Sequence, residues 1–248
     1  MPTKFLIAPL LLAVALISAC KQDGPAATGA PGGAQTAPIA PPAGKAWADM
    51  IVKTPEGGYR MGNPDAPIKL VEFGSLTCPH CAEFTELGAA DIRDKYVASG
   101  RVSYEFRNFV RDPLDITATM LVQCAPPESF FALTDQVFAN QSAMYDKIQA
   151  AGEAAQKAIG EGPPAQRFIG YANLAGLTDF FSARGLAKPQ AEACLSNVAK
   201  AQAFADATEK DAATYDIQGT PTFLLNGSKI EANTWPGIKA ELERAGAR

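Results

Sequence analysis

Two cysteines two residues apart, Cys78-Pro79-His80-Cys81, are the densest group of reactive side chains in the chain, and they enclose its only histidine in 248 residues. Such a pair can grip a metal ion, cross-link the backbone, or carry electrons by opening and closing a disulfide. A structural zinc site needs four Cys or His ligands, normally as two close pairs. No second close pair exists, since Cys124 and Cys194 lie far apart and lack ligand-type neighbours, so no metal is expected. A purely structural Cys78–Cys81 bond would close a very small loop, and in the chain-entropy account small loops stabilise least. The redox pair is the reading that uses both cysteines.

A thiolate, not a thiol, attacks a disulfide, and a stable thiolate also leaves readily. One sulfur therefore needs a device that favours negative charge. Upstream, Ile68-Lys69-Leu70-Val71-Glu72-Phe73 is rich in strand formers and partly alternating. Gly74–Thr77 makes a turn, and from Pro79 to about Ala98 the pattern is helical, with Pro79 early enough that its missing N–H costs nothing. Cys78 then stands at a helix N-terminus, where unpaired N–H groups and the positive end of the macrodipole favour an anion. His80 can add a donor or a positive charge. Each unit by which the thiol pKa falls favours the reduced form by about 1.4 kcal/mol, and a stabilised reduced form makes the disulfide an oxidant.

Val102–Val110 reads as a second strand with Val102, Tyr104 and Phe106 on one face. Strand, helix and strand form a βαβ unit, which predicts parallel strands and a motif at the first strand's C-terminal end. From Asp112 to about Ala213 strand signals vanish; breaks at Pro126-Pro127, Gly162-Pro163-Pro164, Gly176 and Gly185 suggest about five short helices, the last starting near Lys188-Pro189. Strand signals return at Thr222–Leu225, followed by an Asn226-Gly227 turn, a short Lys229–Glu231 strand and a closing helix from Pro236 to about Arg244. The order is β-α-β, a helical insertion, then β-β-α.

The N-terminus carries one lysine, an apolar run from Phe5 to Ile17 and then Ser18-Ala19-Cys20. That is an export signal over residues 1–19, too short in its apolar part to span a bilayer comfortably. Its end resembles a bacterial lipobox, with Cys20 as the lipidated residue. Residues 20–45 then form a Pro-, Gly- and Ala-rich tether with little apolar surface to offset ordering. A net charge of −4 leaves no basic stripe for nucleic acid, and 47% hydrophobic content suffices for a buried core. Of five cysteines, lipidation removes Cys20 and leaves four. In an oxidising compartment these pair most simply as Cys78 with Cys81 and Cys124 with Cys194. Cys124, in an early helix, and Cys194, in the last long one, would tie the insertion's two ends; the alternative is two small buried hydrophobes.

Cys78-Pro79-His80-Cys81 after a strand, Gly219-Thr220-Pro221-Thr222-Phe223 before the returning hairpin, and the lead-in GNPDAPIKLVEF together resemble the DsbA-like thiol:disulfide oxidoreductases of the bacterial cell envelope. The resemblance runs from about Trp47 to the C-terminus. It implies an α/β thioredoxin-like fold over residues 46–111 and 213–248 with an all-helical insertion at 112–212. It implies a cis Thr220–Pro221 bond beside the cysteines, with Gly219, Thr220 and Pro221 meeting a substrate strand. Cys78 would be the nucleophile, Cys81 its more buried partner, Pro79 and His80 the dipeptide that tunes the potential. Glu72 falls where the family places a buried acid beneath the second cysteine, to relay its proton; the alternative is a solvated strand charge. The implied activity is disulfide donation to reduced or unfolded exported polypeptides in the periplasm, without a cofactor. A lipid-anchored monomer, reoxidised by a quinone-linked membrane partner, would carry it out. A disulfide isomerase or reductase of the same fold, and a peptide-binding lipoprotein without turnover, are the competing readings.

Overall fold

The computed structural model describes Met1 and residues 37–247. The export signal beyond Met1, Cys20 and most of the tether lie outside the described residues. Among the described residues six strands form one sheet, in the order β1-β2-β4-β3-β5-β6. They are β1 (Ile51–Lys53), β2 (Tyr59–Gly62), β3 (Ile68–Gly74), β4 (Val102–Asn108), β5 (Thr222–Leu225) and β6 (Ser228–Ile230). β3 and β4 are parallel in the register Leu70 to Tyr104 and Glu72 to Phe106, and β5 runs antiparallel on the other side of β3. β3 is therefore central and buried on both faces. Ile68 and Leu70 join the larger core, while Val71 and Phe73 pack with Ile217 and Leu224 on the opposite face. Burial of this kind is worth about 1.5–3 kcal/mol for each large side chain.

α1 (Pro79–Asp91) leaves the end of β3 through the Ser75–Cys78 segment and continues into a π-helical turn at Ile92–Val97. Its inner side is pinned by Phe84, whose ring lies 4.6 Å from that of Phe223 on β5 and 6.1 Å from Trp235, the first residue of α9 (Trp235–Arg244). Gly88 lets the two helices approach, because a Cβ there would stand 2.7 Å from the Trp235 ring. These contacts set the height of the α1 N-terminus above the sheet.

Between β4 and β5 run α2 (Pro113–Val122), α3 (Phe130–Ala139), α4 (Gln141–Glu161, broken at Gly152), α5 (Pro164–Leu174), α6 (Leu177–Ser182), α7 (Lys188–Leu195) and α8 (Val198–Tyr215). The sequence suggested about five. Where it placed one long last helix from Lys188, the chain breaks at Ser196-Asn197, and Asn197 caps a new helix by accepting from the Lys200 N–H at 3.0 Å. Cys194 thus sits in the short α7, and Cys124 lies just beyond α2. They form a disulfide. The β1–β2 hairpin was also not foreseen: β1 has three residues, two of them exposed, too few to show a period. The second parallel strand ends at Asn108, and Glu105 within it is buried against Arg107 at 2.7 Å and Thr54 at 2.8 Å.

The disulfide joins positions 70 residues apart. Replacing both cysteines, Cys124→Ala with Cys194→Ala, should lower the unfolding free energy by about 4 kcal/mol, the loop-closure value for that span. Urea unfolding of the variant against the parent measures it.

Candidate active site

Cys78 occupies the N-cap of α1 and Pro79 its first turn. The two thiols are free and both are buried, Cys78 at 1% exposure and Cys81 at 0%. Both are nearly closed to water, and burial weighs more heavily on Cys81, the cysteine that the family resemblance makes the deeper one. Their hydrogen bonding separates them further. Cys78 is held down to about 5 from an ordinary value of 9, first by the Cys81 side chain, then, against the cost of burial, by the Thr220 side chain and the backbone N–H groups of Cys81 and His80. Cys81 is pushed far up by burial, by donating to Cys78, and by the charges of Glu72 and Cys78, with only a Ser75 backbone contact opposing. The two sulfurs share one proton, and it stays on Cys81.

Two N–H groups of the first helical turn, those of His80 and Cys81, thus favour charge on the Cys78 sulfur. The His80 ring is 77% exposed, and its Nδ1 lies 3.8 Å from Glu83 Oε2. His80 reaches the sulfur through its backbone.

Glu72 is fully buried, which rules out a solvated strand charge. Its Oε2 accepts from the Tyr104 hydroxyl at 2.5 Å, and Oε1 has no partner. Burial raises its pKa to about 8, the Tyr104 hydrogen bond pulls it down, and negative charge on Cys78 and Asp135 raises it. Tyr104 escaped the sequence reading as a functional residue. It pairs with Leu70 in the β3–β4 register, so it meets Glu72 diagonally, and that register is a tertiary fact.

Thr220–Pro221 is a cis peptide bond. In the dithiol form the Cys78 S–H donates to the Thr220 carbonyl oxygen at 3.2 Å, and the buried Thr220 hydroxyl, which no other group engages, is left to favour charge on the Cys78 sulfur. Gly219, exposed, contributes a carbonyl to the Thr222 hydroxyl at 2.7 Å. Beside Thr220 and Pro221 opens a groove of about 430 Å³ lined by His80, Phe84, Leu87, Trp235 and Pro236, with Leu87 56% exposed. The Cys124–Cys194 bond is not among these residues; it belongs to the helices. Among the described residues no cluster of three metal-ligating side chains occurs.

Further residues of the site were not read from the sequence. Asp115, fully buried in α2, accepts from the Ser75 hydroxyl at 2.6 Å, the Leu76 N–H at 2.9 Å and the Arg111 N–H at 3.0 Å. The Asp112-Pro113 pair signals a helix start, but nothing in it says that Asp115 will reach the segment before Cys78.

Comparison with known proteins agrees with this fold. The family signature described as Thioredoxin matches residues 54–244. A crystal structure of a protein-disulfide isomerase from Novosphingobium aromaticivorans is 33% identical, with a TM-score of 0.71, over 75% of this chain and 95% of that one. Disulfide bond formation protein D of Bacillus subtilis is 25% identical over 178 residues, 69% of this chain and 68% of its own length. A Rickettsia bellii protein that bears the provisional name protein-disulfide oxidoreductase is 25% identical over 196 residues, 79% of this chain and 67% of its own length. Two further Rickettsia relatives are matched over 60% and 64% of their length. Wolbachia pipientis alpha-DsbA1 shares the fold, with a TM-score of 0.60 at 20% identity, over 75% of this chain and 89% of that one.

The acid beneath the thiols can be tested by its proton. A carboxyl raised in the folded state contributes stability that is fully present below its unfolded value, about 4.5, and lost as pH rises through about 8. Cys78 has the opposite sign, with stability present above its unfolded value of 9 and lost as pH falls through about 5. Apart from its coulombic coupling to Glu72, it is common to parent and variant and cancels. The dithiol form of Glu72→Gln should therefore gain on the parent between pH 5 and 8, by at least about 1 kcal/mol at the upper end. Urea unfolding across that range measures the gain, and a constant difference would mean that Glu72 is ionised throughout.

Proposed function

From the premise that the chain belongs to the thioredoxin family, in its DsbA-like branch of thiol:disulfide oxidoreductases, we propose that it donates the Cys78–Cys81 disulfide to thiols of newly exported polypeptides. The observation that carries this is the opposite displacement of the two sulfurs, Cys78 down to about 5 and Cys81 upward. An oxidant must hold its reduced form in comfort. A thiolate stabilised by several pKa units makes the disulfide more oxidising by on the order of 100 mV.

The reaction runs in two exchanges. A client thiolate attacks Cys78 Sγ, the client–Cys78 bond forms, the Cys78–Cys81 bond breaks, and Cys81 leaves with the electron pair. Cys81 is a poor resting thiolate, so it takes up a proton, and Glu72 is the acid close enough for its charge to be felt there. A second client thiolate then attacks the client sulfur, and Cys78 leaves as the stabilised thiolate. The client loses two electrons and two protons; one proton stays on Cys81 and the other goes to solvent.

His80 and Pro79 act on this chemistry through the backbone of the first helical turn, and Gly219, Thr220 and Pro221 border the groove that a client strand would enter. Residues 46–111 and 213–248 would form the thioredoxin-like unit, with 112–212 as the inserted helical unit. Cys20 would anchor the protein to a membrane as a lipoprotein, with residues 20–45 as the tether, so that a monomer works in the bacterial envelope. Among the described residues no helix is long and apolar enough to cross a membrane. A membrane redox partner would reoxidise the pair, accepting its two electrons.

The name of the Novosphingobium protein favours a second reading, disulfide isomerisation by the same pair. The two separate by substrate. As an oxidase the protein speeds the recovery of a reduced client; as an isomerase it acts on a scrambled one.

Thiolate absorbance of the dithiol form should titrate with a midpoint near 5, and equilibration with glutathione should show a disulfide easier to reduce than glutathione's own. Cys78→Ser should abolish client oxidation, and Cys81→Ser, which has no disulfide to give, should capture a client presented with its own disulfide: the Cys78 thiolate attacks that bond, one client thiol leaves, and a client–Cys78 mixed disulfide appears on a non-reducing gel. Client binding without any such trapping would leave the peptide-binding reading in its place.

A further inference from the structure

The segment Ser75–Cys78 presents the reactive sulfur, yet much of its backbone is held by side chains from helices that lie between β4 and β5. The Leu76 N–H reaches Asp115 at 2.9 Å, and the Thr77 hydroxyl donates to Asp112 at 2.7 Å. On the acceptor side three consecutive carbonyls are taken. Gln141 Nε2 donates to the Leu76 oxygen at 2.9 Å and to the Cys78 oxygen at 3.2 Å, and the Tyr145 hydroxyl donates to the Thr77 oxygen at 2.6 Å. Gln141 and Tyr145 are four residues apart on α4 and so lie on one face of it. Gln141 is buried; Tyr145 is 40% exposed.

Neither side chain caps α4 or fills a gap in it. Both spend their donors on a stretch of chain more than sixty residues away. That stretch touches both sulfurs: Cys78 is its last residue, and the Ser75 backbone faces Cys81. Hydrogen bonds weaken steeply with angle and distance. A small rotation of Leu76–Cys78 against the first turn of α1 would therefore change how many N–H groups each sulfur meets.

We propose that Gln141 and Tyr145 are positioning residues of the thiol chemistry, clamping the three carbonyls of Leu76–Cys78 so that the Cys78 sulfur stays aimed at the N–H groups of His80 and Cys81. The clamp makes the redox poise of the pair a property of α4 as well as of the Cys-Pro-His-Cys sequence. It rests on the oxidant reading above and deepens it. Losing the Gln141 donor leaves the Leu76 carbonyl oxygen to find another partner, which it can do only by turning, and leaves the Cys78 oxygen held by the Ala82 N–H at 3.2 Å alone. The sulfur then loses donors while its burial remains, so the thiolate is disfavoured.

The test is a thiolate titration and a glutathione equilibrium on the full chain, comparing the parent with Gln141→Leu, Tyr145→Phe and Asn197→Ala. The last removes the α8 cap and serves as a control for stability loss away from the thiols. Gln141→Leu should raise the Cys78 midpoint by about one unit, equivalent to about a tenfold loss of thiolate below the midpoint. The disulfide should become less oxidising by a similar factor. Tyr145→Phe should shift both in the same direction by less, and Asn197→Ala should move neither. A folded Gln141→Leu variant that titrates with the parent overturns the clamp. Should that variant fail to fold, Tyr145→Phe decides: a midpoint equal to the parent's overturns the proposal, and a raised one supports it. A parent that itself titrates as an ordinary thiol defeats the oxidant reading and the clamp together, whereas a low midpoint shared by parent and variants defeats the clamp alone.

Discussion

One proton shared unequally by two sulfurs is the constraint around which this structure is arranged. Cys78 and Cys81 are both nearly closed to water, Cys81 the more deeply, so burial alone would raise both. Cys78 escapes because donors converge on it: the Cys81 thiol, the Thr220 hydroxyl and two N–H groups of the helix it caps. Cys81, one turn in, has spent its own hydrogen on its neighbour. A helix end is the cheapest source of such donors, since its first N–H groups have no partner within the helix. Pro79 sits where that turn has an N–H to spare.

Keeping the helix end in place is the work of the hydrophobic core. Phe84, Phe223 and Trp235 lock α1 to β5 and α9, and β3, buried on both faces, fixes the point from which the segment to Cys78 departs. The same β3 brings Glu72 under the thiols. Burying a carboxyl with one oxygen unpaired is a local cost that a core built only for stability would avoid. The proton relay proposed for it would account for that cost, and its raised pKa of about 8 suits such a role near neutrality.

The helices between β4 and β5 are more than a cover for the sheet. Asp112 and Asp115 at the start of α2, and Gln141 and Tyr145 at the start of α4, all reach into the four residues before α1. A segment with left-over backbone groups is a weak place in any buried site. Here it is tied at nearly every donor and acceptor, which gives the reactive sulfur a fixed direction.

The sequence by itself determined the chemistry and much of the order of elements. Two cysteines with Pro79 between them, after a run of strand formers, define a helix-capping thiol pair from local patterns alone, and the Asn226-Gly227 turn marks the hairpin. These signals are legible because they depend on near neighbours. The break at Ser196-Asn197 was missed because a single cap hydrogen bond interrupts an otherwise helical pattern, and β1 was missed because it is too short to have a period. Only the tertiary structure decided that Glu72 meets Tyr104, that His80 acts through its backbone, and that Asp115, Gln141 and Tyr145 hold the segment before Cys78. Those contacts join residues up to 68 positions apart, or depend on strand register and helix rotation. A side chain's partner across such distances is set by how the elements pack, and no local pattern encodes it.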